Sequence, residues 1–169
     1  MGIVIRNGEV VTASERFVAD LRLDGGTITA MGTKLEPKAG DETIDAAGQF
    51  VLPGFIDPHV HMELGFMGTV SADDFEVGTA SGAAGGTTCI IDFCIPAPGE
   101  SMLAALASWR RKAAKAVCDY SFHMAITSWG DDSADEMRAV VQEHGITSFK
   151  VFMAYKGALM VNDDEMYSS

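Results

Sequence analysis

Residues 50–61, FVLPGFIDPHVH, contain the pattern that says most about the fold. An apolar run ends there in Asp57-Pro58-His59-Val60-His61. Because side chains alternate between the two faces of a β-strand, His59 and His61 are expected to point the same way and could bind one metal ion. Two imidazoles at this spacing, at the end of a buried strand, are typical of half of a catalytic metal site. The alternative is that one histidine packs in the core and the other is exposed.

A repeating pattern of strands and helices follows this histidine pair. Apolar segments recur about thirty residues apart, which is the spacing of βαβ units. They cover residues 55–59, 88–96, 120–126 and 148–154. Helical patterns separate them at residues 73–84, 101–117 and 133–144. This alternation predicts a parallel sheet with helices on both faces, either a (β/α)8 barrel or an open doubly wound sheet.

Sequence motifs favour the barrel over the open sheet. No glycine-rich loop of the form GxGxxG or GxxxxGK[ST] opens a helix, which disfavours the nucleotide-binding sheet. In a barrel the chemistry lies at the carboxyl ends of the strands, where His59 and His61 fall. A barrel of this kind needs eight strands, and the chain supplies about four. We therefore expect the first half of a barrel, in a fragment of a longer protein that is inactive by itself.

Residues 1–52 have a different pattern, with short strands separated by turns. The strands are predicted at residues 3–6, 10–12, 17–23, 27–31 and 50–52. Asn7-Gly8 and Asp24-Gly25-Gly26 are strong hairpin signals. We therefore predict two domains. Residues 1–52 form a small antiparallel β unit, and residues 53–169 form the barrel strands.

Composition restricts the expected partners and compartment. The 169 residues are 47% hydrophobic and carry a formal net charge of −12, which argues against nucleic acid or an anionic membrane as the partner. No run of about 18 apolar residues indicates a membrane helix, and the first residues lack a signal-peptide pattern. A cytoplasmic protein that acts on a small molecule is therefore expected, with its three cysteines reduced.

A lysine in an apolar strand is a third candidate ligand. Lys150 lies in the segment SFKVFMAY, residues 148–155. Lysine avoids burial unless it is paired or functional, and burial favours the neutral amine that can add carbon dioxide. The resulting carbamate could bridge two metal ions. Alternatively, Lys150 reaches the barrel mouth or pairs with Asp57 or Asp92. Strand alternation also predicts that Asp92 and His123 face the barrel interior, in a supporting role rather than as ligands.

Two longer motifs resemble a known family. Residues 50–93, FVLPGFIDPHVHMELGFMGTVSADDFEVGTASGAAGGTTCIIDF, and residues 148–157, SFKVFMAYKG, are similar to the dihydropyrimidinase and D-hydantoinase family of the amidohydrolase superfamily. The resemblance implies a (β/α)8 barrel that carries two divalent metal ions, usually zinc, and a β-sandwich built from both chain ends.

The same resemblance implies roles for individual residues. His59 and His61 would bind one metal ion, and N6-carboxylated Lys150 would bridge both. Tyr155 would be a catalytic residue that contacts the substrate carbonyl. The remaining ligands, two histidines and an aspartate, would lie on later strands beyond residue 169. The full-length protein would be a homotetramer.

The activity implied by the resemblance is hydrolysis of the cyclic amide bond in dihydropyrimidines or 5-substituted hydantoins, which gives N-carbamoyl amino acids. Leu64 and Phe66 would contact the ring substituent, or would be part of an ordinary packed lid. Allantoinases and dihydroorotases are near alternatives, but residues 62–66 offer no cation for a substrate carboxylate. Some relatives are non-catalytic scaffold proteins, an alternative that the joint presence of both histidines and the lysine disfavours.

Overall fold

The computed structural model describes all residues from 1 to 169, and the chain divides into two compact units, Met1–Pro53 and Gly54–Ser169. This division lies one residue from the boundary predicted by the change in sequence pattern. None of the helices is both long enough and apolar enough to cross a membrane. The two units are described separately below.

The first unit is one five-stranded sheet. Its strands are β1 (Ile3–Val11), β2 (Arg16–Asp24), β3 (Thr27–Gly32), β4 (Glu42–Asp45) and β5 (Phe50–Val51). The order is β3-β2-β1-β4, and β5 also pairs with β1. The β1, β2 and β3 strands are antiparallel neighbours, whereas β4 and β5 run parallel to β1. The prediction of a purely antiparallel unit was therefore wrong. The chain leaves β3 at one edge, crosses the sheet, and adds β4 at the other edge in the direction of β1.

Asn7-Gly8 forms a β-bulge and not the predicted hairpin. The β1 strand runs through both residues, and one extra residue stands opposite β2 between Ile5 and Gly8. Asn7 has a φ of 61°, in the left-handed region that asparagine tolerates, and its N–H donates to Oδ1 of Asp20 at 2.9 Å. A tertiary partner for that N–H therefore allows one continuous strand where the dipeptide alone favours a turn.

The second hairpin signal is confirmed. Asp24 pairs with Thr27, so Gly25 and Gly26 form a two-residue loop between β2 and β3. Both glycines have positive φ values, 57° and 80°. Such a loop needs left-handed backbone at both positions, which glycine adopts without steric cost.

A paired polar cluster lies beside the apolar side chains of the first unit. Nη2 of Arg22 donates to Oδ2 of Asp41 at 2.6 Å, and its Nε donates to Oδ2 of Asp24 at 2.9 Å. Asp41 also accepts the backbone N–H groups of Gly2 and Lys38. These two backbone hydrogen bonds and then the guanidinium lower the pKa of Asp41 to about 2. Each charged group in this cluster has a partner of opposite charge.

The second unit contains a four-stranded parallel sheet. Its strands are β6 (Phe55–Val60), β9 (Thr87–Cys94), β10 (Asp119–Ile126) and β11 (Phe149–Val151). The intervening helices are α1 (Phe75–Ala84), α2 (Met102–Ala113) and α3 (Ser133–Gln142). A short hairpin, β7 (Gly65–Phe66) and β8 (Thr69–Val70), precedes α1, and α4 (Asp163–Ser168) is the last element.

The strands of this parallel sheet are neighbours in chain order, β6-β9-β10-β11. A doubly wound sheet reverses its strand order at a switch point, whereas a barrel adds each strand next to the preceding one. The predicted mixed α/β fold is confirmed. Its strands follow one another in chain order, without a switch point.

The three longer helices contribute to one apolar cluster on one face of the sheet. Phe75 of α1, Leu106 of α2 and Val140 of α3 are buried together with Ile90 and Met124 of the strands. This corrects the expectation of helices on both faces, because all three longer helices of residues 54–169 pack on this one face. The alternate strand positions, which include Phe93, His123 and Lys150, lie on the other face. The helix-free face carries the residues singled out in the sequence.

The last predicted strand, residues 148–154, is shorter in the structure. The β11 strand ends at Val151, and Phe152 forms only an isolated bridge to Met160. The chain then turns at Tyr155, which has a φ of 65°, and at Gly157, with a φ of 77°. A residue with left-handed backbone angles cannot continue a β-strand, and the apolar pattern of the sequence does not reveal these angles.

Candidate active site

The histidine pair lies where the β6 ladder becomes irregular. Between two consecutive paired positions, β6 advances three residues, from Asp57 to Val60, while β9 advances only two. This extra residue in β6 is a β-bulge. Oδ1 of Asp57 accepts the N–H of His59 at 3.1 Å. Despite the bulge, the imidazole centroids of His59 and His61 are 5.3 Å apart. The two rings therefore stand on the same side of the strand end.

Phe93 is the floor of the candidate site. Its ring centroid lies 4.5 Å from that of His59, 5.1 Å from that of His61 and 4.7 Å from that of His123. Nζ of Lys150 is 4.3 Å from the same centroid. One phenyl ring thus contacts side chains from β6, β10 and β11. The sequence analysis did not select Phe93, although alternation along β9 places it on the face opposite Ile90.

Lys150 has aromatic neighbours in place of a counter-ion. It is half-buried, and its Nζ lies near the faces of Phe93 and Phe152, the latter at 4.9 Å. No carboxylate lies within 4 Å of its ammonium, so the alternative of pairing with Asp57 or Asp92 is not found. Ring faces attract a cation much more weakly than a buried carboxylate does. This environment leaves the amine open to reaction or to a bound group.

The electrostatics of the histidine pair suit metal binding. Burial, and then the positive charges of His59 and Lys150, lower the pKa of His61. Its Nδ1 is buried and has no hydrogen-bond partner. A neutral imidazole is the form that binds metals. Histidine, cysteine, aspartate and glutamate form no cluster of three here, so a metal ion held by the two histidines would need a further ligand of another kind.

Asp92 lies on the helix-facing side, which corrects the prediction that it faces the barrel interior. It shares a face with Ile90 and Cys94 and is 1% exposed. Its Oδ2 accepts the N–H of Met62 at 2.9 Å, and its Oδ1 accepts the N–H of Phe93. Burial raises its pKa to about 6, against the effect of these two hydrogen bonds. The alternation with Ile90 was correct, but the face that Ile90 occupies is covered by helices.

His123 lies on the side of the candidate site. Its Nε2 is 2.9 Å from the carbonyl oxygen of Pro58, and its Nδ1 is within hydrogen-bond distance of Oγ of Ser148. A carbonyl only accepts, so Nε2 carries the proton and Nδ1 accepts from the serine hydroxyl. His123 therefore joins β10 to the residue that precedes His59.

The loops above the sheet bring Tyr155 and Phe66 together. Their ring centroids are 5.3 Å apart in an edge-to-face arrangement, and the Tyr155 ring lies 6.0 Å from that of Phe152. Leu64 is not part of this group, because its side chain packs against the helix-covered core. Met67 is 81% exposed. Of the two residues expected at the ring substituent, only Phe66 contacts the candidate catalytic tyrosine.

The segment after His61 is fastened to the helices. Nζ of Lys115 lies 2.8 Å from Oε2 of Glu63 and 3.1 Å from Oδ2 of Asp74. Asp74 also caps α1 by accepting the N–H of Val77 at 2.8 Å, as an aspartate directly before a helix commonly does. Oγ of Ser71 accepts the N–H of Leu64 at 2.8 Å. The SADDF motif, residues 71–75, thus fixes the loop that carries Phe66.

Comparison with known proteins gives consistent matches. No family model matches the chain. The dihydropyrimidinase of Dictyostelium discoideum is 49% identical over 98% of this chain, and the D-hydantoinase of Geobacillus stearothermophilus is 48% identical over 97%. The crystal structure of dihydropyrimidinase from Brevibacillus agri superimposes with a TM-score of 0.94 at 48% identity, over 99% of this chain and 36% of that one.

These matches point first to a class of structure, the mixed α/β fold that the chain shares with the superimposed enzyme. In particular, the resemblance to the dihydropyrimidinase and D-hydantoinase family is confirmed over almost the whole chain. The chain spans about a third of the length of the curated relatives it matches, 33% of the first and 35% of the second.

Proposed function

We propose that the protein hydrolyses the cyclic amide bond of dihydropyrimidines or 5-substituted hydantoins to N-carbamoyl amino acids, in a metal-dependent reaction. The observation that carries the proposal is the grouping of His59, His61 and Lys150 around one phenyl ring, Phe93, at the carboxyl ends of parallel strands. Relatives named for this activity are nearly half identical to the chain.

Two divalent metal ions, zinc by preference, are the proposed cofactors. His59 and His61 would hold one ion, and Lys150 would bridge both as its N6-carboxylate. In that modification the neutral amine adds to the carbon of carbon dioxide and loses one proton, which leaves an anion with two oxygen donors. Such ions polarise a carbonyl group and make water a nucleophile at neutral pH. The absence of a carboxylate near Lys150 supports the modification, because no anion holds the lysine as an ammonium ion.

We propose further that the four parallel strands are half of a (β/α)8 barrel and that the first unit belongs to a β-sandwich. The consecutive strand order and the helices on one face support the barrel. The ligands not supplied by residues 1–169 would come from other strands of the same barrel. In this arrangement the helix-free face is the barrel interior. A homotetramer and a cytoplasmic location are also proposed, on the resemblance alone.

Tyr155 and Phe66 are proposed to hold the substrate ring. The phenol of Tyr155 is half-exposed at a strained turn, where it can donate a hydrogen bond to the ring carbonyl oxygen as negative charge develops there. Phe66 supports the tyrosine ring from its edge. Residues 62–72 contain no lysine or arginine, so this loop suits neutral or apolar ring substituents better than the carboxylate of dihydroorotate.

The test uses the full-length protein as the cell makes it. Bound metal is measured together with ring opening of dihydrouracil, a 5-substituted hydantoin, dihydroorotate and allantoin. We expect zinc in the purified protein and turnover of the first two substrates. His59→Ala should lose both, whereas His144→Ala, which alters a histidine bonded to Arg110 on the helices, should keep both. Wild-type protein without metal and without turnover would overturn the proposal and favour a scaffold role.

A further inference from the structure

The segment that carries the two histidines lacks ordinary sheet hydrogen bonds. Pro58 has no N–H to donate, and the bulge breaks the pairing of β6 with β9 between Asp57 and Val60. A strand end with so few backbone restraints would leave the two imidazoles free to move apart. Other groups must fix it if the rings are to keep one geometry.

Asp92 restrains the segment on the carboxyl side of the histidines. It accepts the N–H of Met62, the residue directly after His61, from a strand that lies 30 positions further along the chain. Its other oxygen accepts the N–H of Phe93, whose ring touches both imidazoles. One carboxylate therefore ties the backbone of a candidate ligand to the backbone of the site's floor.

The burial of Asp92 makes this contact unusual. The residue is 1% exposed and forms no salt bridge, although Lys112 lies near enough to influence it. Burying a carboxylate without an ion pair opposes folding, and an apolar residue of similar size would avoid that cost. The compensation found in the structure is the pair of backbone hydrogen bonds, and both of them end beside the candidate site.

His123 restrains the segment on the amino side. Its Nε2–H donates to the carbonyl oxygen of Pro58, the residue directly before His59. The hydroxyl of Ser148 donates to its Nδ1, which fixes the tautomer and the ring plane. The imidazole also lies against Phe93. His59-Val60-His61 is therefore held at both ends by side chains of two other strands, β9 and β10.

We propose that Asp92 and His123 are positioning residues for the candidate metal centre. They replace the missing sheet hydrogen bonds on either side of the histidine pair and set the separation of the two imidazoles. The inference rests on the proposed function, since it assigns the residues that give the metal ligands their geometry. Neither residue is proposed to touch a metal ion or the substrate.

The experiment compares four variants with one matched control in the protein at its cellular length. Asp92→Leu removes both acceptors, and Asp92→Asn retains one oxygen. His123→Leu removes the donor to Pro58, and His123→Gln can keep it. The control is Thr79→Val, because the fully buried Thr79 accepts the N–H of Val117 at 3.0 Å and lies outside the site. Zinc affinity is measured by competition with a chelator, and unfolding temperature and amide exchange are measured without metal.

We expect Asp92→Leu and His123→Leu to weaken zinc binding by at least about tenfold, the size typical when groups that orient metal ligands are lost. The Asn and Gln variants should recover part of that loss. Thr79→Val should lower the unfolding temperature but leave zinc affinity unchanged. Asp92→Leu should also expose the Met62 amide to exchange, whereas Thr79→Val should not. A purely structural role would not separate zinc affinity from unfolding temperature in this way.

Two results would overturn the inference. One is wild-type zinc affinity in both leucine variants, and the other is an equal loss of affinity in Thr79→Val. If the wild-type protein itself binds no zinc, the proposed function fails. The positioning role is then decided by crystal structures of metal-free wild type and Asp92→Leu. An unchanged separation of the His59 and His61 rings would refute it, and a changed one would support it.

Discussion

The Arg22 cluster of the first unit and the candidate site of the second unit differ in how their charged side chains are partnered. In the first unit, Arg22 is bonded to two carboxylates, and Asp41 accepts two backbone N–H groups as well as the guanidinium. In the second unit, Lys150 has no carboxylate within reach, Nδ1 of His61 has no partner, and Asp92 is buried without an ion pair.

This difference separates a structural cluster from a candidate site. Backbone N–H groups and a guanidinium that donate to an ionised carboxylate lower the free energy of the folded state, and the low pKa of Asp41 reflects that. Charged or polar groups left without partners lower stability, and they persist where a ligand or a reaction needs them. For Lys150 and His61, the contrast therefore points to the helix-free face of the parallel sheet independently of any relative.

The largest contrast is expected between Lys150→Ala and Arg22→Ala. Loss of Lys150 should abolish hydrolysis and reduce metal content, because the proposed bridging anion would be lost. Loss of Arg22 should lower the unfolding temperature, since Asp41 and Asp24 lose their cation, while metal content per folded molecule stays the same. Metal analysis, turnover and thermal unfolding of the full protein measure both effects.

Lys156→Ala is the control for the first substitution, because Lys156 is an exposed lysine in the following loop. It should behave as wild type. Short carboxylic acids should restore part of the turnover of Lys150→Ala by occupying the vacated space. Normal metal content and rate in Lys150→Ala would instead make Lys150 a structural lysine and would remove the basis of the comparison.

Tyr155→Phe should have the next largest effect. It retains the edge-to-face contact with Phe66 and removes only the hydroxyl donor. The expected loss is about 2.7–4 kcal/mol in the transition state, seen mainly in kcat with metal content unchanged. Tyr167→Phe, at a tyrosine that is 95% exposed, provides the control. Turnover close to wild type in Tyr155→Phe would leave the metal ions as the source of carbonyl activation.

Leu64 and Phe66 should separate stability from substrate preference. Leu64 packs against the core, so Leu64→Ala should lower the free energy of unfolding by about 2 kcal/mol and affect all substrates alike. Phe66→Ala should alter the ratio of kcat/KM between bulky and small ring substituents by about 1–3 kcal/mol. Urea unfolding and a series of 5-substituted hydantoins measure the two effects. An equal loss for every substrate in Phe66→Ala would contradict its proposed role.

The smallest expected effects are on the pH dependence of stability, where Asp92 and Asp41 should contribute with opposite signs. The folded-state pKa of Asp92, about 6, lies above its usual 3.8, so its protonation favours folding, and that contribution is lost as pH rises from about 4 to 6. The pKa of Asp41, about 2, lies below its usual 3.8, so its contribution is present above about pH 4 and is lost as pH falls toward 2.

Urea unfolding of wild type, Asp92→Asn and Asp41→Asn across this pH range tests the opposite signs. Wild type should lose stability relative to Asp92→Asn as pH rises from about 4 to 6, and relative to Asp41→Asn as pH falls from about 4 to 2. Lys112 is the charged group that influences Asp92 from the helix side, and it acts to lower the pKa of that carboxyl. If the stability differences for the two carboxylates changed with pH in the same direction, the proposed opposite contributions of Asp92 and Asp41 would be contradicted.

Strand alternation predicted much of the candidate site from the sequence. It placed His59 with His61 on one side of a strand end and selected Lys150 as an unusual buried cation. It also placed Asp92 correctly with Ile90, but it could not say which face the helices would cover. The contacts of Phe93 and His123 were not predicted. They are made to side chains and a carbonyl on other strands and have no local sequence pattern.

The sequence by itself determined the alternation of strands and helices, the Gly25-Gly26 hairpin, the cap of α1 at Asp74 and the grouping of unusual side chains. These features depend on interactions between residues close along the chain, which composition and periodicity record. The tertiary structure decided that Asn7-Gly8 is a bulge, that β4 runs parallel to β1, and that β11 ends before Tyr155. It also decided that Asp92 and His123 restrain the histidine pair. Each of these depends on a hydrogen bond or a steric contact with a distant segment, whose position becomes fixed only when the chain has folded.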